Sequence, residues 1–73
     1  LTMKLIIESV IADTGEHYAY YGGYDEYTYV HKWAQHKSNA QYYTNGDDLF
    51  DALGRLFKDY SAGVLKFIII KRK

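Results

Sequence analysis

Tyr18, Tyr20, Tyr21, Tyr24, Tyr27 and Tyr29 fall within twelve residues, with Trp33 close behind and Tyr42 and Tyr43 further on. Tyrosine offers a large rigid face and one polar tip at low entropic cost, which suits it to contact surfaces. Asp25 and Glu26 are interleaved with these rings. Aromatic anchors beside carboxylates fit a protein partner with a basic surface: the rings supply affinity, and the charges steer and set register. The candidate contact set is therefore Tyr18, Tyr20, Tyr21, Tyr24, Asp25, Glu26, Tyr27, Tyr29 and Trp33. The same residues have a plainer use. Strands favour tyrosine, and some of these rings belong in a core. Strand alternation cannot bury all of them on one face, so several are expected at the surface.

Other chemistries find less support. Base stacking needs Lys or Arg between the rings to hold phosphates. Here the basic residues Lys32 and Lys37 come late, and Lys71, Arg72 and Lys73 close the chain. A nucleic-acid binder using Tyr and Trp stacking with those residues is the alternative reading. The plainer role of the basic end is to protect and solubilise a sheet edge. His17, His31 and His36, with Glu16, Asp25 or Glu26, hold no recognised ligand spacing, so no metal or other cofactor is expected. The chain lacks a nucleophile elbow, a phosphate loop, a dinucleotide fingerprint and any cysteine. A carboxylate pair such as Asp25-Glu26 needs a cleft around it, which so short a chain struggles to enclose. The expectation is a protein that is not an enzyme.

The scale of the chain agrees. Its 73 residues suffice for one domain, residues 1–73, with a modest core. Without cysteine there is no disulfide scaffold, so a reducing cytoplasm is the expected compartment. No apolar run approaches the roughly 18 residues that span a bilayer, and no membrane partner is expected. Leu1-Thr2-Met3-Lys4 leads into too short an apolar stretch for a signal peptide. Met3 is the expected natural start, with Leu1 and Thr2 left over ahead of it. Nine Lys plus Arg balance nine Asp plus Glu, which removes any global pull toward nucleic acid or anionic membrane. The acids Asp13, Glu16, Asp25, Glu26, Asp47, Asp48 and Asp51 precede the basic end, leaving the tyrosine segment locally acidic.

The elements that must position these residues follow from periodicity. Residues 3–12 alternate as a strand, with Leu5, Ile7, Ser9 and Ile11 on one face and Ile6, Glu8 and Val10 on the other. Asp13 to Glu16 predicts a hairpin turn, and residues 17–21 the return strand, ended by Gly22-Gly23. Residues 24–37 fit either a strand or a helix capped by Asp25; Tyr, Thr and Val favour the strand. Ser38-Asn39 predicts a turn and residues 40–44 a short strand. Leu49, Leu53, Leu56 and Tyr60 recur at helical spacing, which predicts a helix over 47–60. Asp47 is its expected cap and Gly63 its expected left-handed stop. Gly54 inside it suggests close approach to a sheet. Residues 64–71 close the fold as a strand with apolar groups on both faces.

The expected fold is α+β: a small antiparallel sheet of three to four strands, in the order β-β-β-(β)-α-β, with one helix on one face. Either the tyrosine segment or a partner must cover the other face, and a second copy of the chain is the partner expected there. In size, lack of cysteine, aromatic load and absence of catalytic motifs, the chain resembles small proteins of bacteriophages and mobile elements that inhibit a host enzyme by binding it. That resemblance implies an inhibitor of a host nucleic-acid enzyme or a defence nuclease, with a host protein as partner.

Overall fold

The computed structural model describes residues 3–61 and 63–71. Leu1 and Thr2, and Arg72 and Lys73 of the basic end, lie outside them. The fold is α+β. Its strands are β1 (Leu5–Ile11), β2 (His17–Asp25), β3 (Val30–Ala34), β4 (Tyr42–Tyr43) and β5 (Leu65–Lys71), with the helix α1 (Gly46–Asp59) between β4 and β5. All pairings are antiparallel. The fourth strand, bracketed in the expected order, forms but is only two residues long.

β1 is the hub. β5 pairs with all seven of its residues, from Leu5 opposite Lys71 to Ile11 opposite Leu65. A strand has two edges, so β2 and β4 share the other one. β2 takes Glu8 to Val10, and β4 takes Leu5 and Ile6. They can share because β2 swings away beyond Tyr21. The pairing with β3 shifts register between Tyr21 and Gly23, where Gly23 adopts a φ of 102°. A Cβ on Gly22 would sit 3.2 Å from the Cβ and carbonyl oxygen of Lys32. Glycine meets both demands, a left-handed backbone and a close approach. The paired glycines therefore build a bulge inside β2 instead of ending it, and the strand runs on to Asp25. Where β2 departs, Gln41 N–H donates to Tyr21 O at 2.9 Å and leads the chain into β4.

The ambiguous stretch 24–37 resolves into four pieces: the end of β2, a turn over 26–29, β3, and a bend at 35–36 that leads into a 3₁₀ turn. The strand reading holds for 24–25 and 30–34 and fails for the turn and for 35–37. Beyond β3 the chain must pass β2 to reach β4. It does so through a 3₁₀ turn, Lys37–Asn39, packed on β2, with Ala40 buried after it.

α1 forms on its apolar stripe, but its ends differ from expectation. The cap is Asn45, not Asp47: Asp48 N–H donates to Asn45 Oδ1 and Asn45 Nδ2 donates to Asp48 Oδ2, both at 2.9 Å. This reciprocal pair satisfies a free N–H of the first turn, and Asp47 and Asp48 lie at the positive end of the dipole. The helix stops at Tyr60, which turns extended while its N–H still reaches Leu56 O. Gly63 plays no part in that stop; it lies in the turn into β5. Gly54 faces open space, with nothing within 4 Å of where its Cβ would be, so close packing does not explain it.

Leu49, Leu53 and Leu56 pack on Ile7 and Tyr21, with Leu5, Trp33, Tyr43, Tyr60 and Phe67 around them. On the far face of β1, Ile6 and Val10 are buried as well. Ser9, fully enclosed, satisfies its hydroxyl by donating to Ala19 O at 2.8 Å.

Candidate functional site: a tyrosine hairpin beside an open cleft

The tyrosines do not form one surface. A second irregularity in β2, where its register with β1 shifts between Ser9 and Val10, joins the glycine bulge in deciding which way each points. Tyr20 shares the far face with His17, at 4.6 Å between rings, and His17 Nδ1 meets Glu8 Oε2 at 2.6 Å. Tyr18 is half exposed and sets its edge against Trp33. Tyr21 is 1% exposed and is a core residue, so its side chain is not open to a partner. Trp33 packs against the core beside Tyr21 and Tyr60.

Tyr21 belongs to a hydrogen-bonded relay. Its hydroxyl lies 2.8 Å from His31 Nδ1, and His31 Nε2 lies 2.6 Å from Asp59 Oδ2. Nε2–H donating to the carboxylate leaves Nδ1 to accept the tyrosine hydroxyl, so every polar atom of the imidazole is used. The relay ties β2 and β3 to the last turn of α1. It offers little as a nucleophile system, because burial pushes the Tyr21 hydroxyl up to about 12, with the charges of Tyr43, Tyr60 and Asp59 adding to it. Periodicity gives no sign of this relay, since Asp59 lies 28 residues from His31.

Tyr24 stands between core and surface. Its ring lies 4.9 Å from His31 on one side, and the Arg55 guanidinium lies 4.3 Å from its centre on the other. Arg55 has a carboxylate one helical turn away in each direction, Asp51 and Asp59. The ion pairs among the described residues are His17–Glu8 and His31–Asp59, so Arg55 takes the ring instead.

Beyond Tyr24 the chain makes the β2–β3 turn. Asp25 Oδ1 accepts from Tyr27 N–H at 2.9 Å and more weakly from Thr28 N–H at 3.4 Å, and Asp25 O accepts from Tyr29 N–H at 2.8 Å. The Tyr27 bond, with help from Thr28, holds the Asp25 carboxyl below its ordinary range. Tyr29 sits at a φ of 58°, a left-handed conformation uncommon for a bulky residue. The result is a tied turn that projects Tyr27, 95% exposed, and Tyr29, 78% exposed, into solvent.

Behind this tip lies an open cleft of about 450 Å³ between the glycine bulge, β4 and the first half of α1. Tyr24, Tyr43 and Arg55 line it, and Glu26, Asp48 and Asp51 contribute acids. Burial pushes the Tyr43 hydroxyl up to about 12, with Asp48 adding to the effect and Arg55 opposing it. Asp48 is engaged by the helix cap, whereas Glu26 and Asp51 have no ion-pair partner among the described residues. Lys32 borders the cleft, but Lys71 lies on β5 at the opposite edge of the sheet. Lys32 and Lys71 thus stand at opposite edges of the sheet and do not form one phosphate track. No group of three or more His, Asp or Glu that could hold a metal occurs among the described residues, and none of their helices is long and apolar enough to cross a membrane. Compared with known proteins, the chain matches no family model, no curated protein and no solved structure.

Proposed function

We propose that this chain is a small non-enzymatic protein-binding module that grips its partner with the Tyr27–Tyr29 hairpin tip and the acid-bearing cleft beside it. One observation carries the reading: two large aromatic side chains stand in water on a turn tied by Asp25 and held partly in a left-handed conformation. A tied turn loses little freedom when it docks, so its rings bind at reduced entropic cost. Glu26 and Asp51, in no ion pair among the described residues, steer toward a basic surface. Surfaces that enzymes use to hold nucleic acid are basic, which suits an inhibitor of a host nucleic-acid enzyme or defence nuclease acting in the cytoplasm. Of the nine residues named from sequence, Tyr24, Glu26, Tyr27 and Tyr29 make up the binding end, Asp25 shapes it, and Tyr21 and Trp33 support it from the core.

Capture from bacterial lysate, with and without nuclease, tests this by comparing the wild type with Tyr27→Ala/Tyr29→Ala. The expected outcome is one stoichiometric protein partner that survives nuclease. Its affinity falls about 30-fold or more in the double variant, as for loss of a hot spot worth about 2 kcal/mol. Capture that the double variant leaves unchanged sinks the reading. Loss of bound protein on nuclease treatment transfers the tyrosines to base stacking.

A further inference from the structure

We infer that the chain forms a two-fold dimer by pairing β5 with β5 of a second copy, making one continuous sheet. The inference stands apart from the hairpin reading. β5 pairs with β1 along one edge, and no other strand among the described residues pairs with it, so its outer edge is open beyond Leu65, whose N–H donates to Ser61 O at 3.2 Å. Sheet edges are usually guarded by charge in their middle. Here the lysines, Lys66 and Lys71, stand near the ends of the strand, and the centre is Ile68 and Ile69, each 43% exposed and on opposite faces. On the helix side, Phe57 is 61% exposed and packs edge-on to Phe67, the neighbour of Ile69 on the same face of β5.

The strand is complementary to itself. An antiparallel pair related by a two-fold axis perpendicular to the sheet sets opposite each other only residues an even number of positions apart. Lys66 and Lys71 are five apart, so they never face each other across such an interface. With Ile68 on the axis, all seven residues overlap. Ile68 meets Ile68, Phe67 meets Ile69, Lys66 meets Ile70 and Leu65 meets Lys71. The same axis keeps both helices on one side of the joined sheet, which brings the two Phe57–Ile69 patches together. A closed isologous contact of this kind selects a second copy of the chain as the occupant. It differs from a dimer stacked through the sheet face opposite the helix, because the contact is a strand edge.

Sedimentation equilibrium from micromolar to millimolar chain concentration tests the inference. The wild type is expected to reach twice the chain mass. Ile68→Lys is expected to return it to the chain mass, because two lysines then meet on the axis. Within one chain the same lysine lies opposite Glu8, so the fold has a partner for it; retained amide chemical-shift dispersion checks this. The chain has no cysteine of its own, so single cysteines report register cleanly. Ile68→Cys should oxidise to a covalent dimer, whereas Lys66→Cys should not, and this pair decides the matter even where Ile68→Lys fails to fold. A wild type that stays at the chain mass throughout, a dimer that survives Ile68→Lys, or equal cross-linking at 66 and 68 overturns the inference.

Discussion

Tyr29 pays for its position. A left-handed conformation costs a residue with a Cβ about 1–2 kcal/mol, which glycine escapes. Tyr29→Gly is therefore expected to raise stability by about 1 kcal/mol in urea unfolding while weakening partner capture. A stability gain coupled to a binding loss separates a residue kept for contact from one kept for the fold. The candidate contacts were legible at this scale as residue types, because tyrosines clustered with acids stand out in any chain. Which of them reach solvent was not. Alternation alone would put Tyr27 and Tyr29 on the face of His31 and Trp33, yet a four-residue turn intervenes and only His31 and Trp33 face the helix together. The Tyr21–His31–Asp59 relay and the Arg55–Tyr24 contact were invisible for another reason: each joins α1 to the β2–β3 hairpin, and no local pattern records a long-range pair.

Among the elements, α1 was the most legible, since Leu49, Leu53 and Leu56 mark its buried stripe and all three are buried. Its ends were not, because Asn45 and Asp47 are both good caps and only the backbone path decides between them. The sequence suggests a packing role for Gly54, and the open space around it removes that role. Its substitution therefore tests helix propensity alone: Gly54→Ala is expected to stabilise the protein by about 1 kcal/mol, read as a higher urea midpoint at unchanged slope. A loss of stability there would mean that the site is packed after all. Gly22-Gly23 departs from expectation in the opposite sense. Two glycines weaken a strand on average, but at a bulge they are what lets it continue.

The whole molecule responds to alkali through its tyrosines. Tyr21 and Tyr43 titrate near 12 in the folded chain against 10.0 when unperturbed. Between those values the unfolded chain has released protons that the folded chain keeps, so the unfolded state gains. Stability from these two groups is complete below pH 10 and lost as the pH rises toward 12. Tyr43→Phe is expected to flatten that decline, measured as urea midpoint against pH. Asp25 has the opposite sign. Its depressed carboxyl contributes above its unperturbed value of 3.8 and is lost as the pH falls through the lower folded value. The overall α+β plan was readable because α1 carries a clean helical periodicity and β1 and β5 are rich in strand-forming residues. The sharing of one β1 edge by two strands was not, since pairing partners leave no mark on a strand's own sequence.

That hub has a kinetic consequence. The first strand of the chain is completed by the fifth, across the whole intervening sequence, and β2 and β4 are anchored on the same seven residues. Closing so wide a loop costs entropy before any of its contacts form. Hairpins β1–β2 and β2–β3 and helix α1 can flicker into place locally, but β1 keeps one edge open until β5 arrives from across the chain. Folding should therefore be slow for so small a chain, limited by one encounter between its two ends.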